Sequence, residues 1–268
     1  MIGIFDSGIG GLSVAKKIYE KLPQYQTIYF GDTARTPYGN RSQELIYRFT
    51  EQAVDFLFKQ GCELIIIACN TASAEALRKI QQEFLPKNYP DKKVLGVIRP
   101  VAEAVAENKK SKRVGVVGTR GTINSGSYVR EIKSFNPGIE IFQQSAPLLV
   151  PLIEEGFIKR RETKMILKSY LRPLKLQKID TLVLGCTHYP FLHKQFKEVM
   201  GKSCKVLDTP EIVADKLTDY LSRHPEIESK LKKGNSHKFL VTDVTEKFKE
   251  NAQNWLGREI NLEVARLA

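Results

Sequence analysis

Two cysteines stand where thiols commonly do chemistry. Cys69 follows the apolar run Leu64-Ile65-Ile66-Ile67-Ala68 and precedes Asn70-Thr71-Ala72-Ser73, while Cys186 follows Thr181-Leu182-Val183-Leu184-Gly185 and precedes Thr187-His188-Tyr189-Pro190. Each run reads as a buried parallel strand, and α/β folds hold their ligands just beyond the carboxyl ends of such strands. A helix beginning at each cysteine offers free N–H groups and a positive dipole end, which lower a thiol pKa from about 8.5 toward neutrality. A strand-end thiol has three uses: packing, nucleophile, or acid and base. Cys186 with His188 alone would supply a nucleophile and its base, but this leaves Cys69-Asn70-Thr71 without a purpose. Two thiols on opposite walls of one cleft suit proton transfer at both faces of a carbon, with a thiolate removing one proton and a thiol returning another. Cys62 and Cys204 read as packing or surface thiols, the usual case for cysteine.

The elements that deliver these groups alternate between strand and helix. Residues 2–5 form a first strand, followed by Asp6-Ser7-Gly8-Ile9-Gly10-Gly11-Leu12-Ser13 and a helix carrying Val14, Ile18 and Leu22. This resembles a dinucleotide fingerprint, with Asp32 at the distance of a ribose-binding acid. Ser13 occupies the third glycine position, however, and Asp6 at the strand end would repel a pyrophosphate. The turn is read instead as backbone amides and an Asp6-Ser7 pair that hold a small polar ligand, with helix capping as the structural alternative for Ser7. A second strand over 27–30 leads into a polar loop ending in Pro37-Tyr38-Gly39, and Ser42 caps a long helix whose buried stripe is Leu45, Phe49, Val54 and Leu57. Further strands are expected over 94–98, 114–118, 139–142 and 239–242. Helices are expected from Pro100, near Pro151, over 159–175 with Ile166, Leu167 and Tyr170 inward, from Asp208-Thr209, and over 245–255. The alternation predicts an α/β fold with mostly parallel sheets flanked by helices.

At 268 residues the chain has room for one large or two medium domains, and 42% hydrophobic with 27% charged residues is ordinary for a globular protein. No apolar run approaches the roughly 20 residues that span a bilayer. Residues 1–6 lack the basic and long apolar regions of a signal peptide, so a cytoplasmic protein with reduced thiols is expected. No Cys/His pair has zinc spacing, and no metal site is expected. The net charge of +12 permits a nucleic-acid partner. Its runs, such as Lys159-Arg160-Arg161, are scattered and free of interleaved aromatics, so solvated helix faces are the preferred reading.

Six motifs in order resemble the glutamate racemases: Asp6-Ser7-Gly8-x-Gly10-Gly11, Gly31-Asp32-Thr33-Ala34-Arg35-x-Pro37-Tyr38-Gly39, Ala68-Cys69-Asn70-Thr71-Ala72-Ser73, Gly118-Thr119-x-Gly121-Thr122, Val150-Pro151-Leu152-x-Glu154 and Leu184-Gly185-Cys186-Thr187-His188-Tyr189-Pro190. The late Phe239-Leu240-Val241-Thr242-Asp243 extends the likeness almost end to end. The resemblance implies two pseudosymmetric α/β domains with the active site in the cleft between them, residues 1–97 plus 208–268 carrying Cys69 and residues 98–207 carrying Cys186. It implies interconversion of L- and D-glutamate without a cofactor, supplying D-glutamate for peptidoglycan, in a protein that is commonly a homodimer. Cys69 and Cys186 would be the two bases, Asp6 assisting the first, and Glu154 and His188 the second. Ser7, Pro37, Tyr38, Gly39, Asn70, Thr71, Thr119, Thr122 and Thr187, together with Asp6 and His188, would hold substrate. Aspartate racemase is the nearest alternative. A regulatory partner such as DNA gyrase, or nucleic acid itself, is the alternative of another class, which the charge allows without requiring. Two departures are visible: Ala146 where relatives often carry cysteine, and Arg99 where they commonly carry an acid or lysine.

Overall fold

Runs of β-branched residues become the central strands of two parallel sheets in the computed structural model, which describes residues 1–267. The strands are β1 Ile2–Asp6, β2 Thr27–Gly31, β3 Leu64–Ile67, β4 Lys93–Gly96, β5 Arg113–Gly118, β6 Glu140–Ser145, β7 Thr181–Gly185, β8 Lys205–Val206, β9 His237–Val241 and β10 Leu262–Val264. One sheet has the order β10-β9-β2-β1-β3-β4 and the other β6-β5-β7-β8, with every strand pairing parallel. Every residue of β1, β3 and β7 is buried, as continuous apolar runs in helix-covered parallel sheets must be.

Register decides what the strand ends present. Phe5 lies opposite Ile67 and Asp6 opposite Gly31, so Asp6, Asp32 and Cys69 leave the larger sheet at one edge. Gly118 lies opposite both Ser145 and Gly185, so Thr119 and Cys186 leave the smaller sheet together. One apolar cluster joins the sheets. It runs from Ile2 and Ile4 through Val97, Val101 and Val105 to Val114, Val116 and Val183, with Val213 and Leu217 closing the far side.

Helix starts follow the expected side chains. Ser42 accepts from Leu45 N at 3.4 Å, Asp208 from Glu211 N at 3.3 Å and Thr245 from Phe248 N at 3.1 Å. Other details differ from expectation. The helix Gln43–Lys59 buries Ile46, Thr50, Ala53, Val54 and Leu57, leaving Leu45 and Phe49 half-buried. Phe49 faces the loop instead, 5.7 Å from the Tyr38 ring and 4.1 Å from the Arg35 guanidinium. The helix after β4 starts at Ile98, before Pro100, because a proline in the first turn forfeits no helical donor. The basic helix begins at Arg161, since Gly156 at φ 75° diverts Phe157–Lys159 into a separate turn, and its core is Thr163, Leu167, Leu171 and Leu174. Ile166 and Tyr170 lie half-buried.

A buried carboxylate ties the loop after β2 to the last part of the chain. Asp32 is fully buried and accepts from Arg35 Nε at 2.7 Å, from the Tyr38 hydroxyl, and from Thr242 Oγ1 at 3.0 Å. Asp32→Ala leaves the Arg35 charge and two hydroxyls without their acceptor, and is expected to cost about 3–5 kcal/mol, as for other broken buried pairs. Urea denaturation measures this; a loss below about 1 kcal/mol, the value of an ordinary hydrogen bond, would show that the network does not hold the loop.

Candidate active site

The chain turns from β3 into the helix Asn70–Glu75 at Cys69, whose sulfur caps it, accepting from Ala72 N at 3.4 Å. The same thiol donates to Ser7 Oγ at 3.4 Å. Only 5% of Cys69 is exposed. Burial pushes its thiol up to about 12, and the nearby Asp6 and Cys186 charges add to this, while Ser7 and the Ala72 N–H pull the other way. The expected lowering at a helix N-terminus is thus overturned for Cys69. One long N–H···S contact at a six-residue helix does not offset full desolvation.

Asp6, at the end of β1, is fully buried beside this thiol. Its carboxylate accepts from Gly8 N at 3.0 Å and, across the cleft, from Thr187 Oγ1 at 3.2 Å. Burial holds the carboxyl above the ordinary range, and the His188 charge and these hydrogen bonds only partly counter it.

The second thiol is 6% exposed and lies 3.9 Å from His188 Nδ1. The other ring nitrogen, His188 Nε2, is 2.8 Å from Glu154 Oε1. Burial alone would lower the imidazole pKa, but the Cys186 sulfur and the Glu154 carboxylate outweigh it and raise it to about 10. The positive charge of the site therefore sits on the Cys186 side. The helix Glu246–Leu256 supports this pair. Trp255 meets the His188 ring edge-on at 5.8 Å, and Asn251 Nδ2 donates to the Glu154 carbonyl at 2.8 Å.

Hydroxyls and glycines bring the two strand edges together. Thr71 Oγ1 lies 2.9 Å from Thr119 Oγ1 and 3.3 Å from Thr122 Oγ1, and the latter two are 3.1 Å apart. Thr119 also caps the helix Arg120–Asn124 while it meets Thr71. Ser13 donates to the Thr187 carbonyl at 2.9 Å. A Cβ on Gly10 would stand 2.4 Å from both His188 Nδ1 and Thr187 Oγ1, and one on Gly39 would stand 2.8 Å from Thr119 Cβ. Glycine alone permits these approaches.

Nearly all the residues singled out in the sequence converge here. Tyr38 is buried, its hydroxyl is committed to Asp32, and its ring packs against Phe5 and Phe49. Pro37 is exposed at the loop beside it. Tyr128 was not foreseen: it donates to Asn70 Oδ1 at 2.7 Å from a helix 58 residues away, a contact without local sequence signal. Among the described residues, no three or more His, Cys, Asp or Glu side chains are grouped to hold a metal, and no helix is long and apolar enough to cross a membrane. A cavity of about 600 Å³ lies elsewhere, between Leu77, Arg99, Glu131 and Lys216. Both thiols are almost fully buried.

Fold and site together define an α/β protein with two thiols at apposed strand edges. Residues 2–217 match the family model described as Asp/Glu/Hydantoin racemase. A glutamate racemase of Geobacter metallireducens is 42% identical over 259 residues, spanning 97% of this chain and 93% of the relative. Among solved structures, a glutamate racemase isoform from Bacillus anthracis superposes with a TM-score of 0.91 at 33% identity, covering 100% of this chain and 97% of that one. The Francisella tularensis glutamate racemase, in complex with D-glutamate, gives a TM-score of 0.88 at 35% identity, covering 99% and 97%. The chain belongs to the Asp/Glu/hydantoin racemase family.

The imidazole carries a consequence for stability. Its folded pKa, about 10, lies above the ordinary 6.5, so the charged ring's contribution is fully present below pH 6.5 and is lost as pH rises through about 10. Thermal melts across that window are expected to show the protein losing more stability than its His188→Gln variant. Parallel curves would contradict the assignment.

Proposed function

We propose that this protein, an amino-acid racemase by family, interconverts L- and D-glutamate by a two-base proton transfer that uses no cofactor. The observation that carries the reading is the pair of buried thiols at the ends of β3 and β7, each with its own polar partners, with Asp6 beside the first hydrogen-bonded to Thr187 beside the second. The 42% identity to a glutamate racemase over most of both chains supports glutamate as the substrate.

The α-hydrogen of an amino acid is a very weak acid, so the site must supply a strong base and stabilise charge on the carbanion. With D-glutamate, the Cys69 thiolate takes the α-proton, forming S–H and leaving the electron pair on Cα, spread into the carboxylate. The Cys186 thiol gives its proton to the opposite face and is left as thiolate. L-Glutamate runs the same steps in reverse from Cys186. Protons and electrons balance, and the two sulfurs exchange charge at each turnover. Asp6 serves as proton acceptor for Cys69, whose buried thiol needs one, since burial pushes it up to about 12. The Glu154–His188 pair stabilises charge on Cys186. Ser7, Asn70, Thr71, Thr119 and Thr122 are neutral donors for the substrate carboxylates, with Thr187 holding the Asp6 carboxylate beside them and Pro37, Tyr38 and Gly39 as the adjoining wall. Because both thiols are buried, substrate enters only when the strand edges part, and closure then shields the abstracted proton from water.

Strand membership supports a division into residues 1–97 plus 208–268 and residues 98–207, one thiol on each. We assign the enzyme to the cytoplasm as a homodimer that supplies D-glutamate for peptidoglycan.

Chiral chromatography of L-glutamate, D-glutamate and L-aspartate, incubated with enzyme and a thiol reductant without added cofactor, tests the reading. Glutamate alone is expected to racemise, and Cys69→Ala and Cys186→Ala are each expected to lose about 10³-fold or more, as for other paired catalytic groups. Turnover of aspartate alone would retain the chemistry and change the substrate. Inactivity of folded protein on all three would overturn the proposal.

A further inference from the structure

Tyr128 takes no part in either proton relay, yet it touches the chain beside both thiols. It is fully buried in the first turn of the helix Ser127–Phe135, which follows Gly126 at φ 64°. Its hydroxyl donates at 2.7 Å to Oδ1 of Asn70, the residue after Cys69. Its ring lies against Gly185, the residue before Cys186, so closely that a Cβ there would stand 3.1 Å from Tyr128 Cε2. The preceding residue reinforces the contact: Ser127 Oγ donates to the Ala74 carbonyl at 3.0 Å, one helical turn beyond Asn70 on the same helix. Two consecutive side chains from the smaller sheet's side of the molecule thus grip the helix that starts at Cys69.

The direction of the Asn70 bond matters for binding. A carboxamide has one acceptor oxygen and two N–H donors. With the oxygen held by Tyr128, the group offers N–H to the cleft, which suits a substrate carboxylate and not an ammonium. Asn70 is 7% exposed, so its amide is largely desolvated and has little freedom to turn.

We propose that Tyr128 is a positioning residue: its hydroxyl fixes the Asn70 carboxamide with the N–H groups toward substrate, while its ring spaces the strand end that carries Cys186. The part that concerns substrate rests on the glutamate reading above.

The test is a double-mutant cycle of Tyr128→Phe and Asn70→Ala, read in steady-state kinetics and in thermal melts. Tyr128→Phe keeps the ring and removes only the hydroxyl, so KM for both enantiomers is expected to rise about tenfold, the value of one hydrogen bond, with a smaller fall in kcat. In the Asn70→Ala background the same substitution is expected to have no further effect on KM. It is also expected to recover part of the melting temperature lost by Asn70→Ala, because that variant leaves the Tyr128 hydroxyl buried without a partner. Unchanged KM in Tyr128→Phe, or additive effects in KM and melting temperature, would overturn the proposal. A readout that needs no Tyr128 variant is the Asn70 side-chain NH₂ resonance pair, assigned by its loss in Asn70→Ala. The pair is expected to shift on titration with glutamate, and an unmoved pair in an enzyme that turns glutamate over would overturn the assigned orientation. Failure of the wild type to act on glutamate would sink the functional reading, and the melting cycle would still decide whether Tyr128 holds Asn70.

Discussion

Two strand edges must meet closely enough for a carboxylate on one to receive a hydroxyl from the other, and the rest of the site depends on that approach. Asp6 and Thr187 form this contact at 3.2 Å, with Thr71, Thr119 and Thr122 forming a second one. Neither approach tolerates a Cβ in the way. Gly10 lies under His188 and Thr187, and Gly39 under Thr119. The glycine-rich turn after β1 therefore works as a surface against which the second thiol's loop closes, and the phosphate-cradle reading of similar turns does not apply. Asp6 at its head would repel a phosphate, and here that carboxylate is an internal part of the cleft.

Both thiols are almost fully buried, and their neighbours set them apart. Cys69 has a hydroxyl, a distant N–H and a buried carboxylate for company, and desolvation pushes its thiol up to about 12. Cys186 faces an imidazole that its own sulfur and Glu154 raise to about 10. A cleft that reacts at both faces of one carbon needs one sulfur with its proton and one without, and the two sulfurs here have different polar partners, Ser7 for Cys69 and His188 for Cys186. The threonine and asparagine donors are neutral, so they can bind carboxylates without adding a second positive charge next to the thiols.

Much of this was legible in the chain. The continuous apolar runs before Cys69 and Cys186 read as buried strands and are strands, and parallel pairing places both cysteines at the carboxyl ends where α/β folds hold their ligands. Ser42, Asp208 and Thr245 marked helix starts because capping is local chemistry. What stayed hidden depends on distant partners. β8 and β10 are two and three residues long and carry no periodic signal. The rotation of the helix Gln43–Lys59 follows from Phe49 packing on Tyr38, which no helical pattern reveals. Likewise the thiol of Cys69 was expected to be lowered by its helix, since the sequence showed the helix but not the depth of burial.

The central claim is that two different sulfurs handle the two faces of the α-carbon. Proton NMR and mass spectrometry of an L-glutamate reaction in D₂O, sampled at early conversion, test this directly. Two bases predict that newly formed D-glutamate carries solvent deuterium at the α-position while the remaining L-glutamate carries none. The converse pattern is predicted from D-glutamate. Return of the original proton to the product, or deuterium appearing equally in substrate and product from the start, would mean a single base serving both faces.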